Sequence, residues 1–166
     1  MTTAISPYRR WGLIAAAIIL ILDQAIKIAV VHWLDLPTRG DEGIELLPFF
    51  NLVFVQNYGV SMGLFHASTE TMRWLLVGMT IGIAAFVAVW MHREKSRDDI
   101  VGLGLVLGGA IGNIIDRVRL GYVVDYADLH IGQWRPFLIF NLADAAITVG
   151  VLILLARAIL LREKED

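Results

Sequence analysis

Four aspartates, Asp116, Asp125, Asp128 and Asp144, fall between Gly108 and Gly150, in a stretch that also carries Asn113, Arg117 and Asn141 and lies beside long apolar runs. Two carboxylates held at unequal pKa can activate a water and protonate a leaving amine without any cofactor, and a low-dielectric site makes one of them keep its proton. A carboxylate in lipid is costly, so it marks a proton relay, an ion path or a catalytic site. Asn113-Ile114-Ile115-Asp116 and Asn141-Leu142-Ala143-Asp144 repeat one tetrad, and on a helix an i, i+3 pair sets amide and acid on one face. That symmetry puts Asp116 and Asp144 forward as a matched pair.

Other chemistries have weaker support. His32, His66, His92 and His130 show no His-Glu-x-x-His spacing, so no metal and no other cofactor is expected. Ser61, in Gly59-Val60-Ser61-Met62-Gly63, has only His66 nearby as a base, and a turn or packing role is the preferred reading. The chain has no cysteine, which removes disulfides and thiolate nucleophiles. A net charge of -2 without any Lys/Arg-rich tract argues against nucleic-acid binding.

The elements that must position these acids are membrane spans. With 57% hydrophobic residues in 166 and a mean hydropathy of +0.67, the chain is too apolar for a soluble domain and too short for a large transporter. Four spans are expected, at about 11–31, 74–91, 100–115 and 137–156, in a single membrane-embedded domain over 1–166. Arg9 and Arg10 precede the first, but Asp23 and Lys27 interrupt its apolar run and no small-x-small cleavage site follows, so it is read as a retained span. Arg9, Arg10, Arg93, Lys95, Arg97, Arg162 and Lys164 all fall on one side, which the positive-inside rule makes cytoplasmic, together with both termini. The outer loops are then about 32–73 and 116–136. In the first, Phe49 to Val55 reads as a strand or as an apolar segment on the membrane surface. In span three, Gly104, Gly108 and Gly112 line one face and allow a neighbouring backbone to approach.

Depth gathers the polar groups. Asp23 lies ~12 Å short of the outer end of span one and Asp144 ~10 Å below the outer start of span four, while Asp116 closes span three on that side. A polar layer in the outer part of the membrane follows, shallower than a transporter site. Bland readings compete for most of the acids. Asp23 and Lys27, at i, i+4, can form an ion pair that packs span one. Arg117 beside Asp116 favours a charged, supporting acid. Asp125 and Asp128 can be solvated loop residues. Asp144, between Ala143 and Ala145, needs a partner or a function. On these grounds an enzyme, a proton-coupled transporter and a non-enzymatic assembly factor all remain open.

A resemblance narrows the choice. Asp23-Gln24 with Lys27, Asn57-Tyr58-Gly59 with Phe65 downstream, Gly108 through Arg117, Val123-Val124-Asp125, and Phe140 through Asp144 occur in the order seen in the bacterial lipoprotein signal peptidase family, which the chain resembles from Asp23 to Asp144. The resemblance implies a mainly α, four-span aspartyl protease of the bacterial inner membrane, with a small periplasmic β-cradle and an adjoining surface helix over the site. It implies Asp125 and Asp144 as the catalytic pair, near the periplasmic face. Asp23, Lys27, Asn57, Gly59, Asn113, Asp116, Arg117 and Asn141 then become substrate-binding or supporting residues. The expected substrates are diacylglyceryl-modified prolipoproteins, cut N-terminal to the lipidated cysteine, and lipopeptides that mimic them are expected inhibitors. The protein is expected to act as a monomer in the lipid bilayer. Val60-Ser61-Met62 and Tyr126 depart from the commonest family pattern, in which Tyr126 is frequently phenylalanine.

Overall fold

Glycine decides how the helices meet. The computed structural model describes residues 8–40, 43–59 and 70–162. Its chain order is α1 (Arg9–Ile28), a wider helical turn at Ala29–Trp33, a short turn at Leu36–Thr38, β1 (Ile44–Leu47), β2 (Phe50–Asn57), α2 (Glu70–Arg93), α3 (Arg97–Arg119), β3 (Val123–Leu129) and α4 (Leu142–Arg162). The central helix is α3, and its glycines are spent on two faces. A Cβ on Gly104 would run into the backbone of Gly12, one on Gly108 into Ala16, and one on Gly112 into the Asp23 carboxylate, so the expected glycine face is the seat of α1. Gly102 and Gly109 do the same for α4, against Gly150 and Ala143.

Each of the four helices is long and apolar enough to cross a bilayer. Leu13, Ile18, Ile21, Phe86 and Leu152 are among the large apolar side chains they expose, as a lipid-facing surface requires. The chain is thus a multi-pass membrane protein. At the end away from the sheet, the Ser96 hydroxyl accepts the Asp99 N–H to cap α3, and Arg157 of α4 pairs with Asp98 and Asp99 at 2.9 and 2.7 Å. Glu94 accepts the Ser96 and Lys95 N–H groups in the α2–α3 turn, and these bonds hold its carboxyl below the usual range.

The other end carries a three-stranded antiparallel sheet in the order β1-β2-β3. The expected strand at Phe49 to Val55 is therefore a strand, running Phe50–Asn57. Leu52 faces Ala127 and Val55 faces Asp125, so Val53 and Phe54 together oppose Tyr126. This β-bulge sits beside Asp125 and re-aims the strand ends there. Val30, Leu36, Val124, Tyr126 and Ala127 form the core beneath the sheet. Gly121, at φ +88°, turns α3 into β3, and Arg73 of α2 donates to the last carbonyls of α3, on Arg117 at 2.7 Å and Val118 at 2.5 Å. Besides the strands, the connections at this end hold among the described residues the short helical turns at Ala29–Trp33 and Leu36–Thr38, and no longer helix adjoins the sheet. Val60, Ser61, Met62, Phe65 and His66 lie outside the described residues.

Two of the differences from the expected span boundaries touch the acids. The fourth helix begins at Leu142, five residues after the expected 137, and Asp144 is in its first turn rather than ~10 Å inside the span. Phe137 to Phe140 are apolar but not helical, with Phe140 bridged to Ala127 of β3. Hydropathy cannot separate such a segment from the helix it feeds. The third helix continues one turn past Asp116, to Arg119.

Candidate active site

The site grows from the start of α4. Asn141 precedes the helix; its Oδ1 accepts the Asp144 N–H at 2.9 Å while Asp144 Oδ2 accepts the Asn141 N–H at 3.4 Å. This is a reciprocal capping box built with Asn and Asp. The second tetrad is thus a helix cap, whereas Asn113-Ile114-Ile115-Asp116 lies within α3, so the two are not structural equivalents. With its oxygen engaged by the cap, the Asn141 amide must present Nδ2, which donates to Asp125 Oδ1 at 2.6 Å.

Asp125 comes from the middle of β3 and is buried, which overturns the reading of a solvated loop acid. Its other oxygen accepts from Asn57 Nδ2 at 2.8 Å. Asn57 is oriented in turn because its Oδ1 accepts the Gly59 N–H at 2.7 Å, an Asx turn that explains the Asn57-Tyr58-Gly59 spacing. Burial pushes the Asp125 carboxyl up to about 6 against the Asn57 bond, and the charge of Asp144 adds to the rise. Asp144 Oδ1 accepts from Asn113 Nδ2 at 2.8 Å. Each acid is thus held by one of two amides, Asp125 by Asn141 and Asp144 by Asn113, and these amides touch each other at 3.3 Å.

Behind them lies a charged layer. Lys27 Nζ is buried 2.9 Å from Asp23 Oδ2, 2.8 Å from Asp116 Oδ2 and 3.2 Å from Asn113 Oδ1. The expected Asp23–Lys27 pair is present, but it is part of a triad. Asp116 owes its charge balance to Lys27 and not to Arg117, which makes no ion pair within 4.0 Å among the described residues. Asp116 also accepts the Val124 N–H at 3.2 Å, tying α3 to the residue before Asp125. Gln24, which the sequence patterns place beside Asp23 without a role, donates to Asp116 Oδ1 at 2.9 Å. Arg117 Nε is buried and has no hydrogen-bond partner among the described residues, and the charges it feels most are Asp144 and Asp125. Gly59, at φ +84°, lies beside that guanidinium: a Cβ there would crowd Leu76 Cδ1 at 2.8 Å and sit in ordinary contact with Arg117 Nη2 at 3.5 Å.

Asp128 stands apart. It too is buried, and Arg135 binds it through Nε at 2.9 Å and Nη2 at 3.1 Å, anchoring the β3–α4 connection. Tyr126 is the residue the sequence patterns did not place in the site: its hydroxyl accepts the Leu142 N–H at 3.2 Å, and burial pushes it up to about 12.

A family model described as Signal peptidase (SPase) II matches residues 15–160. The chain belongs to the signal peptidase II family. The chain is 56% identical to the lipoprotein signal peptidase of Sphingopyxis alaskensis over 99% of its length and 94% of that protein's, and 56% identical to that of Rhizorhabdus wittichii over 98% and 94%. Two solved bacterial membrane enzymes superpose with TM-scores of 0.78 and 0.74 at 25% and 28% identity, covering 93% and 89% of this chain and 91% of each of theirs. The expected fold, four apolar helices with a small antiparallel sheet, is the one this signal peptidase II chain adopts.

Proposed function

We propose that the protein is a lipoprotein signal peptidase of the aspartyl type, cutting diacylglyceryl-modified prolipoproteins on the N-terminal side of the lipidated cysteine. The observation that carries the mechanism is the Asn141 amide, which caps the helix of Asp144 with its oxygen and holds Asp125 with its nitrogen. One strand acid and one helix-tip acid are thereby tied through a single side chain.

The dyad shares one proton. The ionised acid takes a proton from water as the water oxygen bonds the scissile carbonyl carbon; the protonated acid hydrogen-bonds the developing oxyanion. Collapse breaks the carbon–nitrogen bond, and the proton passes to the leaving amine of the cysteine. Arg117 Nε, without a partner among the described residues, is suited to a substrate carbonyl, with Gly59 beside the guanidinium. Asp23, Lys27, Asn113 and Asp116 hold the dyad from behind.

The orientation follows from charge. Arg9, Arg10, Arg93, Lys95 and Arg97 lie at the helix ends away from the sheet, which puts that end in the cytoplasm, both termini with it, and the site near the periplasmic face of the inner membrane. The lipid chains of the substrate then remain in the bilayer against the exposed apolar helix faces. The reading includes action as a monomer, and substrate-like lipopeptides would compete for the same space.

Purified Asp125→Asn and Asp144→Asn proteins, folded by thermal unfolding in detergent, are expected to leave a lipidated precursor uncut. Full cleavage by either variant refutes the dyad. An unlipidated precursor of the same sequence should be spared; equal cutting of both would refute the substrate class.

A further inference from the structure

An α-helix begins with N–H groups that have no partner within it. In α4 the first three are shared among three elements. Ala143 N–H is accepted at 3.0 Å by Asp23 Oδ1 of α1, Asp144 N–H at 2.9 Å by the Asn141 cap, and Leu142 N–H at 3.2 Å by the Tyr126 hydroxyl of β3. Tyr126 follows Asp125 directly and lies opposite the bulge of β2. Backbone bonds between Phe140 and residues Tyr126 and Ala127 guide the chain towards the helix but end before it.

We propose that Tyr126 is a positioning residue: by accepting the Leu142 N–H it locks the first turn of α4 to β3 and so sets the separation of Asp144 from Asp125. The inference rests on the dyad reading. Two acids that interact titrate as a pair whose two apparent pKa values are pushed apart by their closeness. If the tie is cut, the first turn of α4 drifts from β3 and the two values converge. The bell-shaped pH dependence of kcat narrows, its alkaline limb moving to lower pH. Besides Asn57, Asn113 and Asn141, the charged groups facing the pair are Asp23 and Lys27 of α1 and Asp116 and Arg117 of α3, none of which the substitution touches. The phenol, high near 12, stays neutral throughout.

The test is the full-length Tyr126→Phe protein in detergent with a lipidated precursor, assayed for kcat and KM across the wild-type pH range. The expected result is an unchanged KM, a kcat lowered about fivefold and a narrower bell. A kcat like wild type, or a bell that falls in height without narrowing, overturns the proposal, since a merely structural role scales the folded fraction and leaves the width alone. Leu142→Pro supplies a second route, because it deletes the donor at the first helical position, where proline is tolerated. It should narrow the bell likewise, and the double variant should be no worse than the single ones; additive losses count against the tie. Asp125→Asn and Asp144→Asn in the same assay separate the two readings: full cleavage there sinks the dyad, whereas dead dyad variants beside an unaltered Tyr126→Phe sink only the tie.

Discussion

Replacing Asn141 by serine and by alanine separates its two tasks. Serine keeps a cap oxygen for the Asp144 N–H but has no amide to give Asp125; alanine has neither. The lost bond to a carboxylate is worth about 1.5–3 kcal/mol. Because that bond favours the charged form, its removal raises the Asp125 carboxyl above its present value of about 6. The rise corresponds to roughly one to two pH units. At neutral pH Asp125 then keeps its own proton and is lost as a base. Asn141→Ser should therefore lose about tenfold or more in kcat at neutral pH and recover part of it as the pH is raised, its acid limb having moved up. Asn141→Ala should match it in kcat and in addition lose the cap, about 1 kcal/mol, read as a Tm lower by roughly 2–4 °C. The assay is precursor cleavage in detergent against pH, with Tm measured on the same preparations. A serine variant with wild-type kcat and an unmoved acid limb would refute the reasoning, for Asp125 would then owe neither its place nor its charge to Asn141.

Lys27→Met should leave Asp23 and Asp116 facing each other without their cation, at a cost of about 3–5 kcal/mol; the folded yield should collapse, and Lys27→Met combined with Asp23→Asn and Asp116→Asn should recover part of it, whereas a single variant that folds normally denies the triad its structural role. Asp125 makes a pH prediction for stability. Its carboxyl lies near 6 when folded against an ordinary 3.8, so the folded state holds the proton more tightly. The associated stability is fully present below the unfolded value and is lost as pH rises through about 6, about 3 kcal/mol in all. Thermal unfolding should show Asp125→Asn gaining on wild type between about pH 4 and pH 7 and running parallel to it above; a gap independent of pH would count against the buried, raised carboxyl.

Asp23 and Lys27 illustrate what local spacing can reach: four residues apart on one helix, they are paired in the fold because helical geometry alone brings them together. The same holds for the apolar runs, which need about twenty residues to cross a bilayer, and for Gly104, Gly108 and Gly112, whose shared face requires a close neighbour without naming it. Which neighbour, and which acid, are questions that periodicity does not carry. The repeated Asn-x-x-Asp reads as two equal pairs, yet one copy sits within α3 and serves Lys27 and Val124, while the other caps α4. Asp125 looks like a loop acid until β3 pairs with β2 and Asn57 and Asn141 close on it from different elements. Sequence by itself determined the spans, their packing face and the stock of acids and amides, since these depend on residues within one turn or one run. The tertiary structure alone decided that Lys27 neutralises Asp116, that Tyr126 and Asp23 finish the start of α4, and that Asn141 links the two acids, because each of these contacts joins segments whose separation along the chain carries no local signal.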